Sequence, residues 1–320
     1  MVFKLKGNDV IKEQDIEVTE SLIGIYGYNN SGKTTILKEL DKVIDEENIK
    51  CIVNDGEYIR SLFIPTNRVI VRQAHTSSTL IKDIEEFLAY KKDSYNEFDL
   101  HLRLIRENLL RNNAVKQVVK NAIIYMFGED YEFDFDRRQS DGVENIINIY
   151  CSIIWLFTWD KDIEDIKYDR LKQLLCDTSA VVMIDEIEAF LHVYVQSRML
   201  QKFKEDFSKC SFVFTTHSPL LLSRYYNIRK FQLDNGILNE INADLYYKDL
   251  DNIYEVYFNV EEFPKEAGEI INRLGDYICG EEYNRDVIVK DLEILNEQYA
   301  NVKAKYPGLV AKAEVKLGVE

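Results

Sequence analysis

The pattern of apolar and polar positions predicts an α/β protein. Ala180 to Ile184 and Ser211 to Phe214 are apolar runs of the kind found in strands buried on both faces of a parallel sheet. Another apolar run, from Leu22 to Tyr26, predicts a strand near the beginning of the chain. Further strands are predicted at Val2–Leu5, Ile11–Val18, Lys50–Val53, Ile59–Ile64, Val69–Val71, Ile228–Leu233 and Ile237–Ile241, of which the last two form a hairpin.

Apolar residues at helical spacing predict helices between and after these strands. They are expected at Thr34–Ile44, Leu80–Tyr90, Leu100–Leu110, Val115–Met126, Val143–Phe157, Val193–Phe207, Leu245–Tyr257, Lys265–Cys279 and Glu282–Lys305. Those between about residues 77 and 128 are too short for a coiled-coil arm and indicate a compact helical insertion. We expect a head at 1–240 and a helical region at 241–320 that contacts a partner or a second copy.

A phosphate-binding loop is predicted where the first apolar strand meets the first helix. A strand, a glycine-rich loop, a lysine, a hydroxyl and a helix follow one another, and this order is typical of a loop whose backbone N–H groups surround phosphates. Lys33 would reach the β- and γ-phosphates, Thr34 would hold Mg²⁺ and Thr35 would contact the α-phosphate. The residues expected to bind nucleotide are Gly27, Asn29, Asn30, Ser31, Gly32, Lys33, Thr34 and Thr35.

Two later strand ends supply residues suited to hydrolysis. Asp185 follows a buried strand, where α/β sheets place their ligands, and is expected to hold Mg²⁺. Glu186 comes next and is the natural base to polarise an attacking water. His217 ends the following buried strand and is expected to bond the γ-phosphate or orient that water. Together with the loop, these residues predict a nucleotide hydrolase.

Composition places the chain among folded intracellular proteins. It has 320 residues, 46% of them apolar, and a net charge of −16 that argues against a surface that is basic all over. Its 5 cysteines are widely spaced without a C-x-x-C pair, as in a reducing compartment. The N-terminus lacks a signal-peptide core, and the longest apolar stretch, Ile146 to Phe157, is too short to span a bilayer. We therefore expect a cytoplasmic protein that does not enter a membrane.

One basic stretch stands out from this acidic background. Between residues 101 and 120 only Glu107 opposes a group of basic side chains, namely Arg103, Arg106, Arg111, Lys116 and Lys120. These side chains could contact a nucleic-acid backbone or an acidic partner. A solvent-exposed helix face is the more common explanation of such a run, and it is favoured here.

Four motifs resemble those of a known family. They are Gly27-x-Asn29-x-x-Gly32-Lys33-Thr34, Ser140-x-Gly142, Ile184-Asp185-Glu186-Ile187-Glu188-x-x-Leu191-His192 and Thr215-Thr216-His217-Ser218-Pro219. In this order they resemble the ABC-type ATPases of the OLD, RecF and SMC-like group, over roughly residues 1–240. The resemblance implies a P-loop NTPase head with a mixed central sheet, ATP and Mg²⁺ as cofactors, and an ATP-dependent head-to-head dimer.

The resemblance also implies two further kinds of site residue. In that family a serine–glycine signature on one head caps the nucleotide of the other head, and Ser140 and Gly142 are the matching residues. The stretch Gln139-Ser140-Asp141-Gly142 departs from the usual leucine-serine-glycine-glycine signature. The family also has a metal-sensing glutamine, for which Gln73 is the candidate metal ligand.

Departures from the family narrow the functional prediction. The 80 residues after 240 are too few and too helical for the Toprim-type nuclease domain of OLD proteins, and long coiled coils are absent. What remains resembles the stand-alone ATPases of bacterial anti-phage systems of the Septu and PARIS type. The sequence thus predicts an ATP-hydrolysing switch that controls a separate nuclease or toxin. A RecF-like DNA clamp in repair and a scaffold that binds ATP without hydrolysis remain as alternatives.

Overall fold

The structure is a computed structural model of the chain. It describes residues 1–18, 21–28, 30–53, 59–66, 105–223, 225, 227–241, 265–280, 283–300 and 306–318. The chain divides into two compact units, Met1–Lys248 and Asp249–Glu320. The first unit contains two hydrophobic cores and the second unit contains one.

Two sheets are described in the first unit. Strands β1 (Val2–Leu5) and β2 (Gln14–Glu17) pair antiparallel in the smaller sheet. The larger sheet consists of β3 (Leu22–Tyr26), β4 (Ser61–Ile64), β5 (Ala180–Ile184), β6 (Cys210–Thr216), β7 (Arg229–Asp234) and β8 (Ile237–Glu240). Its order is β4–β5–β6–β3–β7–β8, and all neighbours are parallel except β7 and β8. The carboxyl ends of β3, β5 and β6 consequently lie at the same edge of the sheet.

Helices cover both faces of the larger sheet. Those of the first unit are α1 (Lys33–Val53), α2 (Asn113–Phe127), α3 (Asp141–Thr158), α4 (Tyr168–Asp177), α5 (Val193–Asp206) and α6 (Pro219–Ser223). One face of the sheet, with Val182 and Phe212, packs in the same core as α2, α3 and α5. The opposite face, with Val181 and Val213, packs in a second core with α1. Since side chains alternate along a strand, residues one position apart enter different cores.

The predicted α/β fold with a mixed central sheet is confirmed. The strand at Ala180–Ile184 has the predicted bounds, and the predicted hairpin is the antiparallel pair β7 and β8. Its Asn235 and Gly236 have positive φ angles of 48° and 77°, as the turn sequence indicates. Other predictions lie outside the described residues: Val69–Val71, Leu80–Tyr90, Leu245–Tyr257 and residues 77–104 of the insertion.

Two strand predictions need correction. Lys50–Val53 is the last part of helix α1 and not a strand. No glycine or proline interrupts residues 33–53, so nothing in the sequence ends the helix earlier, and the β-branched residues are tolerated. The strand predicted at Ile11–Val18 is shortened to β2. Ile11 ends a turn in which the Asn8 side chain accepts hydrogen bonds from Val10 N and Ile11 N, and Lys12 N donates to Gly236 O in the hairpin turn.

The second unit is a group of helices around a small apolar core. They are α7 (Lys265–Cys279), α8 (Arg285–Gln298) and α9 (Pro307–Leu317). Side chains such as Leu274 and Leu295 fill the core. At its margin Arg273 donates two hydrogen bonds of 2.8 Å to the carboxylate of Asp291. Across the parts of the chain that the structure describes, no helix is both long and apolar enough to cross a membrane.

Candidate nucleotide-binding site

The loop between β3 and α1 depends on two glycines. A Cβ atom added to Gly27 would lie 2.7 Å from the carbonyl oxygen of Leu233, and one added to Gly32 would lie 2.7 Å from Val10 Cγ1. Gly32 also has a φ of +98°, which favours glycine. Helix α1 begins at Lys33, so its first N–H groups have no partner within the helix. The sequence thus builds a tight loop that ends at the start of a helix, and the first N–H groups of a helix suit an anion.

Lys33 is the first residue of α1, and its side chain bonds back to this loop. Its Nζ donates hydrogen bonds of 2.9 Å to the carbonyl oxygens of Gly27 and Tyr28, and the residue is only 7% exposed. Burial lowers the pKa of Lys33 below its ordinary value, while nearby carboxylates, Glu186 first, act in the opposite direction. The ammonium group is therefore at the position from which the sequence predicts contact with phosphates.

Asp185, which directly follows β5, accepts hydrogen bonds from three hydroxyl groups. Thr34 Oγ1 donates to Asp185 Oδ2 at 2.7 Å, and Thr66 Oγ1 donates to the same oxygen at 2.9 Å. Thr215 Oγ1 donates to Asp185 Oδ1 at 2.6 Å. Asp185 is 3% exposed, so these bonds compensate for the cost of burying its carboxylate. The bond from Thr34 connects the start of α1, where the phosphate-binding loop ends, to the carboxyl end of β5.

The donor set around Asp185 fits Mg²⁺ held together with a nucleotide. Because the Thr34 hydroxyl gives its proton to Asp185, its oxygen lone pairs remain available to a cation. Within the described ranges, no group of three or more His, Cys, Asp or Glu residues could hold a metal ion. Mg²⁺ in nucleotide enzymes commonly uses one or two protein oxygens and takes the rest from phosphates and water. Thr34 and Asp185 provide such a pair.

Glu186 and His217 lie together beside Asp185. Glu186 Oε1 is 3.9 Å from His217 Nε2, and both side chains are partly exposed. The backbone of Glu186 has a φ of +44°, which is unusual for a residue with a Cβ atom. Its N–H donates to Thr215 Oγ1 at 2.7 Å. The two residues that the sequence assigns to hydrolysis are therefore neighbours, although they are 31 positions apart in the chain.

From the sequence, Glu188 and Thr215 are named only as members of motifs and Thr66 is not named, and the structure brings all three to the site. Glu188 Oε1 accepts a hydrogen bond of 2.6 Å from the backbone N–H of His217. Its Oε2 is buried and has no hydrogen-bond partner in the described parts of the chain. Burial raises the pKa of Glu188, and the bond from His217 N–H opposes that rise. The available signal was the position of these residues at or just after predicted strand ends.

The signature residues lie at the start of α3. Ser140 is the N-cap, and its side chain makes no capping hydrogen bond. A Cβ atom on Gly142 would lie 2.6 Å from the carbonyl oxygen of Phe190, so the helix start packs tightly against the loop after β5. Asn145 Nδ2 donates to Ala189 O in the same loop at 2.6 Å. Contact of Ser140 and Gly142 with a second copy of the chain stays a prediction.

The predicted basic stretch is only partly a free surface. Arg106 forms an ion pair with Glu144 of α3 and also donates to Asn148 Oδ1 at 3.3 Å. Its side chain is therefore engaged inside the first unit, which argues against a phosphate contact. Arg111 and Lys120 are exposed and Lys116 is partly exposed. The predicted site residues Asn29, Gln73 and Arg103 lie outside the described residues, whereas Asn30, Ser31 and Thr35 lie in the loop and the first turn of α1.

Comparison with known proteins gives a family match and two curated relatives. Residues 67–223, which include Asp185, Glu186 and His217, match the family described as "AAA domain, putative AbiEii toxin, Type IV TA system". Septu protein PtuA of Bacillus mycoides (strain KBAB4) is 28% identical over 212 residues, which is 57% of this chain and 29% of that protein. The Retron Ec83 probable ATPase of Escherichia coli is 21% identical over 202 residues, which is 58% of this chain and 35% of that protein. The chain thus matches about a third of the length of each relative.

Solved structures of ABC proteins are also similar to the chain. An ATP-binding subunit of an ABC transporter covers 79% of this chain and 95% of its own, with a TM-score of 0.42 and 16% identity. A bacterial Atm1-family ABC exporter with ATP bound covers 81% of this chain and 40% of its own, with a TM-score of 0.43 and 13% identity. The sequence matches confirm the predicted resemblance: residues 67–223 match an AAA domain of the AbiEii type, and more than half of the chain is similar in sequence to parts of Septu protein PtuA and of the Retron Ec83 probable ATPase.

Proposed function

We propose that the chain is a Mg²⁺-dependent ATPase that works as a switch in bacterial anti-phage defence. The observation that carries the proposal is the 2.7 Å hydrogen bond between Thr34 and Asp185. It brings the phosphate-binding loop and the acidic tip of β5 within reach of a single bound nucleotide. Homology to ATPases of the Septu and retron Ec83 systems supports the assignment to defence.

Each residue of the site has a chemical task in this proposal. Lys33 and the N–H groups at the start of α1 bind the phosphates of ATP. Thr34 and Asp185 hold Mg²⁺, which when bound neutralises charge on the β- and γ-phosphates. Glu186 accepts a proton from the attacking water, and it is exposed enough for water to reach it. His217, 3.9 Å from Glu186, donates a hydrogen bond to the γ-phosphate.

The switch itself requires a second copy of the chain and an effector. In the proposal, ATP holds two heads together because Ser140 and Gly142 of one head cap the nucleotide of the other. The Ser140 side chain makes no capping bond at this helix start, so its hydroxyl group is suited to an anion, which supports this role. Hydrolysis then separates the heads, and the two states act on a separate nuclease or toxin.

Hydrolysis measurements test the enzymatic part. The wild-type chain should release phosphate from ATP with Mg²⁺ and stop when EDTA removes the metal. Glu186→Gln should lower kcat at least about 100-fold while ATP still binds, because a general base contributes on that scale. Glu129→Gln, an exposed glutamate after α2, is the matched control and should retain wild-type kcat. Binding without any turnover by the wild-type chain would favour an ATP-bound scaffold instead.

Mass measurements in solution test the dimer. Glu186→Gln traps ATP, so it should form dimers with ATP and Mg²⁺ and remain monomeric with ADP. Adding Ser140→Arg places a bulky cation at the start of α3 and should abolish these dimers without changing ATP affinity in the monomer. A phage plating assay on cells carrying the native locus should show loss of protection with Glu186→Gln. Dimers that form equally well without nucleotide would contradict the switch.

A further inference from the structure

Thr215 lies where three strand ends meet. It is fully buried near the end of β6, and its backbone pairs with Ile25 of β3. Its side chain reaches in the other direction, to the residues that follow β5. His217 comes only two positions later in the chain. Thr215 therefore lies behind the proposed catalytic residues and does not reach the exposed side of the site itself.

The Thr215 hydroxyl uses both its donor and its acceptor capacity. It donates a 2.6 Å hydrogen bond to Asp185 Oδ1 and accepts a 2.7 Å hydrogen bond from Glu186 N. The carbonyl oxygen of Thr215 accepts a third bond, of 3.1 Å, from Ile187 N. One residue thus holds three consecutive positions after β5, including the carboxylate proposed to bind the metal.

The turn at Glu186 explains why such support is needed. A φ of +44° is disfavoured for any residue with a Cβ atom, and such conformations persist only where surrounding contacts fix them. The bonds made by Glu186 N and Ile187 N hold the peptide groups before and after Glu186, and so they fix its backbone dihedral angles. Without them the turn could relax, and the Glu186 side chain would change direction.

From this geometry we infer that Thr215 is a positioning residue for ATP hydrolysis. Its single hydroxyl orients the Asp185 carboxylate toward Mg²⁺ and fixes the backbone that aims Glu186 at water. The inference rests on the function proposed above and adds a residue that touches neither nucleotide nor metal. Residues of this kind around metal sites are worth about 10- to 100-fold in metal affinity or activity.

The same contacts predict which property stays unchanged when the hydroxyl is removed. Asp185 Oδ2 would keep its bonds from Thr34 and Thr66, so the link to the phosphate-binding loop would persist. Lys33 is held by loop carbonyls that do not involve Thr215. Binding of ATP without a metal should therefore be unaffected, whereas metal binding and turnover should weaken.

Variants that separate the hydroxyl from the shape of the side chain provide the test. Thr215→Val keeps the shape and removes the hydroxyl, Thr215→Ser restores it, and Thr215→Ala serves if the valine variant does not fold. Thr158→Val is the matched control, because Thr158 is 3% exposed and, within the described residues, its hydroxyl donates to Ile154 O of the same helix at 2.7 Å. The readouts on the full chain are kcat, KM, the affinity for a fluorescent ATP analogue in EDTA, and the Mg²⁺ concentration that half-saturates its metal-dependent binding.

The expected result is specific to the metal and to turnover. Thr215→Val should lower kcat about tenfold or more and raise the half-saturating Mg²⁺ concentration about tenfold, with affinity in EDTA within about twofold of wild type. Thr215→Ser should recover most of both losses, and Thr158→Val should match wild type in both. A valine variant with wild-type kcat and Mg²⁺ requirement would overturn the inference, as would a serine variant that recovers neither.

Failure of the inference can be told from failure of the proposed function. If the wild-type chain hydrolyses ATP and Glu186→Gln does not, the function stands and only the Thr215 variants decide the inference. If the wild-type chain binds Mg²⁺ and ATP without hydrolysis, the function fails. The Mg²⁺ titration still decides the positioning role, since an unchanged requirement in Thr215→Val overturns it.

Discussion

Buried polar residues are arranged differently in the two compact units. In the first unit, Asp185 and Thr215 are buried and hydrogen-bonded to each other at the carboxyl edge of the sheet, and Lys33 is buried against the phosphate-binding loop. In the described part of the second unit, the buried polar residue is Asp291, which pairs with Arg273. Polar groups clustered at one edge of a sheet cost stability and indicate chemistry, whereas a single bidentate pair between helices indicates packing. Substitutions in the two units should therefore have different consequences.

The largest effect should come from exchanging the two buried aspartates. Asp185 and Asp291 are 3% and 4% exposed, so the same change to asparagine is a matched comparison. Asp185→Asn removes the charge proposed to hold Mg²⁺ and should lower kcat at least about 100-fold. Asp291→Asn should leave kcat unchanged and lower the thermal stability of the second unit. Phosphate release and differential scanning calorimetry measure the two results. Equal kcat in the two variants would contradict the comparison.

Removal of the loop lysine should have the next largest effect. Lys33→Ala deletes an ammonium group that is buried in the phosphate-binding loop, so ATP affinity should fall about 10- to 100-fold. Lys38→Ala, at an exposed position of the same helix, is the control and should bind ATP as the wild type does. Titration with a fluorescent ATP analogue measures both affinities. An unchanged affinity in Lys33→Ala would show that the loop is not the phosphate site.

Glycine-to-alanine changes in the two units should shift the free energy of unfolding in opposite directions. In Gly142→Ala the new Cβ would lie 2.6 Å from the backbone oxygen of Phe190, so we expect a loss of about 1 to 3 kcal/mol in unfolding free energy. Among the described residues, no atom lies within 4 Å of a Cβ atom placed on Gly268 in α7. Gly268→Ala should therefore stabilise the second unit by about 0.5 to 1 kcal/mol through helix propensity. Urea unfolding of both variants tests the signs, and a stabilised Gly142→Ala would show that α3 does not pack tightly there.

The smallest effect concerns the pH dependence of stability. Burial raises the pKa of Glu188 in the folded state, so the folded chain holds this proton more tightly than the unfolded chain does. The stability contributed by this proton is fully present below the carboxyl pKa of the unfolded chain and is lost as pH rises through the raised pKa of the folded chain. Glu188→Gln should therefore gain in stability relative to the wild type between pH 4 and pH 7. The exposed Glu129→Gln should show no such trend in the same urea titrations. A constant difference between Glu188→Gln and wild type would contradict this assignment.

Sequence patterns correctly predicted an element in which every residue is buried. The strand at Ala180–Ile184 is buried at every position, so a continuous apolar run sufficed to set its bounds. At Lys50–Val53 the β-branched residues suggested a strand, but local propensity is weak beside an uninterrupted helix. The carboxylates and lysine of the site were predictable because motif spacing marks them.

The supporting contacts of the site could not be read from the sequence. Thr215 and Thr66 are common residues at strand ends, and their bonds to Asp185 depend on which strands are neighbours. Glu188 belongs to the same motif as Asp185 and Glu186, but its burial and its bond to His217 N appear only in the folded chain. The ion pair of Arg106 with Glu144 likewise required the packing of the insertion against α3. Such contacts join residues that are far apart in the chain, so no local sequence pattern indicates them.

Crystals grown with a non-hydrolysable ATP analogue and Mn²⁺ test the central claim most directly. Anomalous scattering locates the metal without assumptions about activity. The account predicts an anomalous peak next to Thr34 Oγ1 and the Asp185 carboxylate, with the analogue's phosphates in the loop that holds Lys33. A metal or an analogue bound elsewhere, with residues 27–35 empty, would contradict it.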